Sequence, residues 1–274
     1  MAAWSETYRG SVAAWECDVT EHFTIAYYFD RLAEAEGNFA ELIGLGPRYR
    51  AGGFARHYDI RYARELRAGS AFHVLSGVIG QEGGLRIGHK FVDSADGATL
   101  TWFDARWAIE AAVPHPLADW DGPAAEPRPQ PTSRAGFIPT ARGRVQPGDL
   151  DESGRMGLAA IVHRFTDSSL QAGAAVGLTA DYIKTARRAF STFELQLSVT
   201  AVPGLGEPFV IDSGLAHLGS SSLRFVHIMS DPRSGAEWAR LGQFGVQLDL
   251  DVRRPAALPA ELRARAEKLV VPVA

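Results

Sequence analysis

The feature that most constrains this chain is an internal repeat that runs without a gap. Asp18, followed by an apolar-striped segment that stops at Gly44, returns 133 positions later as Asp151 with a second striped segment that stops at Gly177. Inside that window Thr20 corresponds to Ser153, Ala26 to Ala159, Arg31 to Arg164, Glu34 to Asp167 and Leu45 to Leu178. Few of these residues are rare, so the identities alone carry little. The shared stripe and the shared placement of Asp make the case for a duplicated unit. A chain of 274 residues has room for two such units of roughly 130 residues each.

Both copies show the same succession of patterns. Ile25, Tyr28, Leu32, Ala35, Phe39 and Leu42 recur at three- and four-residue steps, with Asp30, Arg31, Glu34 and Glu41 largely between them. This predicts one helix with one buried face over 24–43. Gly44 suits a left-handed helix stop, and Pro47 follows. The second stripe, Leu158, Ile161, Phe165, Ala172 and Val176, is built from smaller residues and implies closer packing. After each helix the period changes to two: Tyr58, Ile60 and Tyr62, then Phe72 and Val74, then Leu85, Ile87, His89 and Phe91. In the second copy, strands are expected over 193–199, 209–216, 222–229 and 238–248. Glycines at 80–84 and Asp96-Gly97 mark turns.

The expected unit is therefore a strand, a long helix and four antiparallel strands, an α+β architecture. Residues 113–139 hold seven of the fifteen prolines, a density that favours an extended connection over a sheet strand. The boundaries that follow are 1–112 for the first unit, 113–139 for the linker and 140–274 for the second. A final helix over 259–269 is expected on the surface.

With 46% apolar residues, 22% charged residues and a net charge of −4, the composition is that of a globular protein. There is no basic excess to hold a nucleic-acid backbone. No apolar run reaches the roughly 20 residues of a membrane span, and the first residues lack the pattern of a secretion signal. The expectation is a cytoplasmic protein with neither nucleic acid nor membrane as partner. Cys17 is the single cysteine, which excludes an intrachain disulfide and a multi-cysteine metal site. With no activating histidine in a recognised pattern, it is expected to be a buried thiol. His73, His89 and His227 lack metal-ligand spacing, so no metal and no cofactor are expected.

The run Trp15-Glu16-Cys17-Asp18-Val19-Thr20-Glu21-His22-Phe23, leading into Thr24-Ile25-Ala26-Tyr27-Tyr28, resembles the start of the hotdog-fold thioesterases of the 4-hydroxybenzoyl-CoA and acyl-ACP thioesterase-like superfamily. Tyr62-Ala63-Arg64-Glu65 resembles the Tyr-Arg-Arg-Glu-like run of the plant acyl-carrier-protein thioesterases, which are tandem hotdogs. The resemblance implies two hotdog units, each a long helix wrapped by an antiparallel sheet, paired as an intrachain pseudo-dimer. It also implies hydrolysis of an acyl-CoA or acyl-ACP thioester, with Asp18, His22 and Glu65 as catalytic residues. Phe23, Thr24, Tyr27 and Tyr28 would bind substrate, the acyl chain lying along Tyr27, Tyr28, Phe29 and Leu32. Glu21, Phe23 and Thr24 depart from the Gly, Met and Asn common at those positions, and Thr20 replaces an Asn. In the second copy Arg155 replaces the His and Val202 falls opposite Glu65, so Asp151 alone marks a second site.

Thioester hydrolysis needs a nucleophile or base, and donors for the oxyanion that forms on attack. Asp18 could attack to give an anhydride or could activate water. Amides around His22 and Phe23 at the helix start are the expected donors. Plainer roles stand beside these: Asp18 and Asp151 as helix caps, His22 as a helix-end histidine, and Glu65 as a surface ion pair among Arg61, Arg64 and Arg67. The competing function is a non-catalytic acyl-thioester binding or scaffolding module, favoured by the missing Asn and the degenerate second copy. A hotdog dehydratase ranks third, because its Asp-x-Asn-Pro-x-His run is absent. Assembly of the pair into a homo-oligomer is left open by the sequence.

Overall fold

A computed structural model describes residues 2–18 and 20–274. The first repeat runs β1 (Ser5–Ser11), α1 (Ile25–Leu42), α2 (Gly46–Ala51), β2 (Arg56–Tyr62), β3 (Ala71–Gly80), β4 (Leu85–Asp93) and β5 (Thr99–Trp107). The second runs β6 (Ile138–Arg144), α3 (Leu158–Val176), α4 (Ala180–Ala186), β7 (Arg188–Val199), β8 (Pro208–Leu218), β9 (Ser222–Ser230) and β10 (Glu237–Asp249), followed by β11 (Arg254–Pro255) and α5 (Ala260–Glu267). The strands form one sheet in the order β1-β3-β4-β5-β2-β7-β10-β9-β8-β6, with β11 added to β10. Each half has the same order from its outer edge inward. They join where β2 pairs antiparallel with β7, from Arg56 opposite Val199 to Arg61 opposite Glu194. This is a tandem hotdog whose two sheets cover each other's inner edges.

A pseudo-twofold axis passes through that seam. His163 Nε2 lies 3.2 Å from Asp30 Oδ2, and the two residues are 133 positions apart. Arg61 and Glu194, an ion pair, occupy corresponding positions of β2 and β7 at the same separation. In a dimer of identical subunits each axial residue would meet its own copy. In one fused chain the two sides of each axial position differ: Arg61 meets Glu194, and His163 meets Asp30.

The buried stripe of α1, with Ala26, Phe29, Leu32, Ala35 and Phe39 fully enclosed, packs on Tyr58, Ile60, Phe91 and Phe103 of the sheet. Each such large apolar side chain contributes about 1.5–3 kcal/mol on burial. Gly44 and Gly177 adopt φ of 77° and 99°, the left-handed stops expected from their placement.

A polar chain crosses each core. In the first repeat Thr7 Oγ1 meets Ser76 Oγ (2.7 Å) and Ser76 Oγ meets His89 Nδ1 (2.7 Å). In the second, Thr140, Ser213 and His227 repeat it at 2.6 and 2.6 Å. Burial pushes His89 down to about 3 and His227 down to about 4, so both are neutral imidazoles. The chains end differently, on Ser169 and Gln243 in the second repeat but beside a buried carboxylate in the first. Glu36 on α1 accepts hydrogen bonds from Tyr58 Oη (3.0 Å), Trp107 Nε1 (3.2 Å) and Tyr49 Oη (3.2 Å), with Arg56 Nη1 at 3.8 Å. Burial raises its pKa against the opposing charge of Arg56.

Three details differ from the sequence expectation. Pro139 lies inside β6; it is tolerated because β6 is an outer edge of the sheet, where no further ladder bond is needed. The short helices α2 and α4 follow the glycine stops. Helix α5 is not a free surface helix, since Leu262 and Ala266 are buried, Ala266 in a cluster with Ala172, Val176 and Leu215. No described helix is long and apolar enough to cross a membrane.

Candidate active site

The segment ahead of α1 closes on itself. Asp18 N–H donates to His22 O (2.8 Å), Glu21 N–H donates to Asp18 O (3.0 Å), and Cys17 bridges Phe23. Asp18 Oδ1 accepts from Thr20 N–H (2.8 Å), Thr20 Oγ1 (2.6 Å) and His22 N–H (3.2 Å). Asp18 is thus a loop organiser rather than the helix cap: the N-cap of α1 is Thr24, whose side chain makes no capping bond. Asp151 makes the same turn, accepting from Ser153 N–H and Ser153 Oγ. The tight loop needs a left-handed residue. Glu21 takes φ 64°, where the second copy has Gly154 at φ 73°, so the first copy carries backbone strain beside its site.

The same loop corrects the expected oxyanion donors. His22 N–H is bonded to Asp18, Phe23 N–H donates to Leu66 O (2.8 Å) and Thr24 N–H donates to Glu16 O (2.9 Å). The amides left to face a ligand begin with Ile25, the first residue of α1, which has no intrahelical acceptor.

The His22 ring is held on both sides. Nδ1 lies 3.0 Å from Thr20 Oγ1, while Nε2 lies 2.9 Å from Arg253 Nη2 and 3.1 Å from Glu65 Oε2. Arg253 also pairs with Glu65, and Arg67 Nη2 stands 3.5 Å from the same carboxylate. Arg253 can only donate. Glu65 can only accept, so the Nε2 contacts point both ways; Thr20 settles the neutral tautomer, because its hydroxyl donates to Asp18 and must accept from Nδ1–H, which leaves Nε2 to accept from Arg253. Burial lowers the His22 pKa; Glu65 and Asp18 oppose the shift, and Arg253 and Arg67 add to it. The imidazole is neutral at pH 7. Cys17 is half-buried and its thiol is pushed up by burial.

These groups stand at the wall of a cavity of about 380 Å³ lined by both repeats. Phe23, Ile25, Tyr28, Tyr62 and Leu66 come from the first, and Phe190, Phe193, Leu248 and Arg253 from the second. Tyr62 Oη is buried there with no protein partner among the described residues. Asp18, His22 and Glu65, expected together, are brought together. Of the expected substrate contacts, Phe23 and Tyr28 line the cavity. Thr24 and Tyr27 do not, and Tyr27 instead packs edge-on against His163 at 5.2 Å. Phe29 and Leu32 are enclosed in the core. Sequence reasoning missed Arg253 and the Phe190–Phe193 wall. Arg253 is 188 residues from Glu65, and no local pattern ties the two.

The second copy superposes in backbone but not in chemistry. Gly69 N–H donates to Val12 O and Gly206 N–H to Val145 O, at 2.9 and 3.0 Å, so Val202 stands where Glu65 does. Arg155, in the place of His22, donates to Val202 O (3.0 Å). The cavity beside Asp151 measures about 270 Å³. A larger groove of about 780 Å³ also borders Asp151, running between its loop and the surfaces of α1, α2 and α3. It is walled by helix-surface ion pairs such as Arg164–Asp149 and does not reach His22 or Glu65. No group of three His, Cys, Asp or Glu among the described residues could hold a metal ion.

The chain belongs to the thioesterase-like superfamily, whose model matches residues 12–108 and 145–266, nearly all of both repeats. Among solved structures it is similar to a putative oleoyl thioesterase from Lactobacillus plantarum, at 13% identity over 90% of this chain and 98% of that one, with a TM-score of 0.67. It is also similar to an acyl-ACP thioesterase from Bacteroides thetaiotaomicron (13% identity, 89% and 100% covered, TM-score 0.65). A third is the 12:0-ACP thioesterase from Umbellularia californica (14%, 90% and 95%, 0.62). At these identities the likeness shows the tandem hotdog fold. No curated protein matches the sequence.

Proposed function

We propose that the protein hydrolyses an acyl thioester, presented as acyl-CoA or acyl-ACP, in the cavity beside Asp18. One observation carries this: Asp18, His22, Glu65 and Arg253 converge on a cavity at the start of a long helix that is polar on their side and walled by Phe23, Tyr28, Phe190 and Phe193, and the duplicate loop lacks the counterparts of His22 and Glu65. The apolar walls from Phe23, Tyr28, Phe190 and Phe193 receive the acyl chain. Asp18 has Oδ1 engaged by the loop, which leaves Oδ2 to take a proton from water or to attack the carbonyl. The oxyanion is met by the Ile25 amide, at the positive end of the α1 dipole, with Arg253 on the wall of the same cavity.

His22 is a positioning residue in this scheme. Thr20 joins its Nδ1 to Asp18, so the ring sets the direction of the carboxylate. A neutral imidazole already accepting from Arg253 is a poor base. Incubation with a panel of acyl-CoAs, with free thiol followed against time, tests the proposal. Catalytic thiol release with at least one chain length is expected. Saturable binding of every acyl-CoA without thiol release would instead establish a binding module.

A further inference from the structure

The polar chain in the core of the second repeat does not stop at Gln243. The Gln243 side chain bonds Ser169 Oγ at 2.7 Å on one side and Thr192 Oγ1 at 2.7 Å on the other, and Ser169 Oγ lies 3.2 Å from His227 Nε2. Because each hydroxyl can donate or accept, the amide joins the two whichever way it is turned. Gln243 is 5% exposed and forms no part of the cavity beside Asp18. Thr192 does: it lines that cavity together with Phe190, Ser191 and Phe193. The chain thus runs from the core of the second repeat to the wall of the site whose loop belongs to the first.

That stretch of wall is irregular. Along β7, Glu194 stands opposite Phe244 and Thr192 opposite Gly245 of β10, so Phe193 is an extra residue without a partner in the ladder. A regular strand turns successive side chains to opposite faces. The bulge at Phe193 lets Thr192 and Phe193 reach the same cavity. Two neighbours support it from behind. Gly245 lets the strands close up, since a Cβ there would stand 2.2 Å from Ser191 O and 2.7 Å from Phe190 Cζ. Phe225 packs edge-on against Phe190 at 5.8 Å. Gln243 adds a directional tie, fixing the bulge to α3 through Ser169.

Taking the cavity as the acyl site, as proposed above, we infer that Gln243 is a positioning residue for the substrate: by holding Thr192 it sets where Phe190 and Phe193 stand, and so which acyl chains fit. Gln243 touches no substrate itself. Its effect reaches the ligand through the β7 wall, so chains long enough to meet Phe190 and Phe193 depend on it and the shortest chains do not.

Calorimetric affinities for a series of S-alkyl-CoA thioethers, from ethyl to dodecyl, test this without requiring turnover. Gln243→Met keeps the length of the side chain and removes both hydrogen bonds. It should weaken the longer thioethers about twofold to tenfold, the scale of one neutral hydrogen bond, and the ethyl compound by less. Thr192→Val cuts the tie at its cavity end and should reproduce that dependence on chain length, whereas Thr192→Ser keeps the wild-type series. This pair decides the matter if Gln243→Met fails to fold by circular dichroism. The double variant Gln243→Met/Thr192→Val should lose little more than either alone. Equal weakening at every chain length, an unchanged series in the folded variants, or a wild-type protein that binds none of the thioethers overturns the positioning role. Thiol release from acyl-CoAs by the wild-type protein is read separately. If it fails while the thioether series still depends on Gln243, hydrolysis is wrong and the positioning role stands; turnover with an unmoved series removes the positioning role alone.

Discussion

Removing the Glu36 carboxylate should be among the most damaging single changes in the first repeat. In Glu36→Ala, Tyr58 Oη and Trp107 Nε1 lose their acceptor in positions that are 0% and 1% exposed. Tyr49 keeps an alternative in Ala33 O at 3.3 Å. Each stranded donor costs about 1–3 kcal/mol, and Arg56 is left without its buried counter-charge, so the total should be about 3–5 kcal/mol. Glu36→Gln keeps an acceptor for Tyr58 and Trp107 and should cost about 1 kcal/mol. The two variants also separate charge from hydrogen bonding. Because burial raises the folded-state pKa of Glu36 above its ordinary 4.5, its contribution is fully present below 4.5 and is lost as pH rises through the raised value. The glutamine has no such dependence, so its stability relative to wild type should improve from pH 5 to pH 8. Guanidinium unfolding at both pH values, followed by circular dichroism and tryptophan fluorescence, measures this. A cost below about 1 kcal/mol for the alanine, or a glutamine that loses ground as pH rises, would refute the reasoning.

Three further outcomes are expected. His22→Ala should slow turnover about tenfold to a hundredfold through lost positioning, and any pH-rate limb due to His22 should lie below its ordinary 6.5; a limb at or above 6.5 that vanishes with the substitution would make His22 the base. Arg253→Met should move that limb upward, because it removes a cation from beside Nε2; an unmoved limb would show that Arg253 does not bear on the ring. Glu21→Gly should stabilise the fold by about 0.5–1 kcal/mol by relieving a left-handed non-glycine residue, and a lowered melting temperature would count against the strain.

What the sequence made legible was whatever repeats locally. The stripe from Ile25 to Leu42 and the stop at Gly44 depend on contacts within a few residues, and the same signals 133 positions on gave the tandem architecture. The alternating strands followed for the same reason. Asp18, His22 and Glu65 stand out through the resemblance of residues 15–28 and 62–65 to hotdog thioesterase motifs; local pattern alone also allows a helix cap, a helix-end histidine and a surface ion pair. The groups that complete the cavity left none: Arg253 reaches His22 from a turn beyond β10, and Phe190 and Phe193 arrive through the β2–β7 seam. Local pattern also misplaced the oxyanion donors, since whether an amide is free depends on distant acceptors such as Leu66 O. Glu36 was hidden because a carboxylate inside an apolar stripe looks like a solvent position until Tyr58 and Trp107 enclose it.

The central claim is that the Asp18 loop hydrolyses thioesters and its duplicate does not. Thiol release from the best acyl-CoA by Asp18→Asn and by Asp151→Asn, both checked for native folding, measures this directly. The account predicts that Asp18→Asn loses most turnover while Asp151→Asn keeps most of it. Equal losses in the two folded variants, or full turnover in Asp18→Asn, would contradict it.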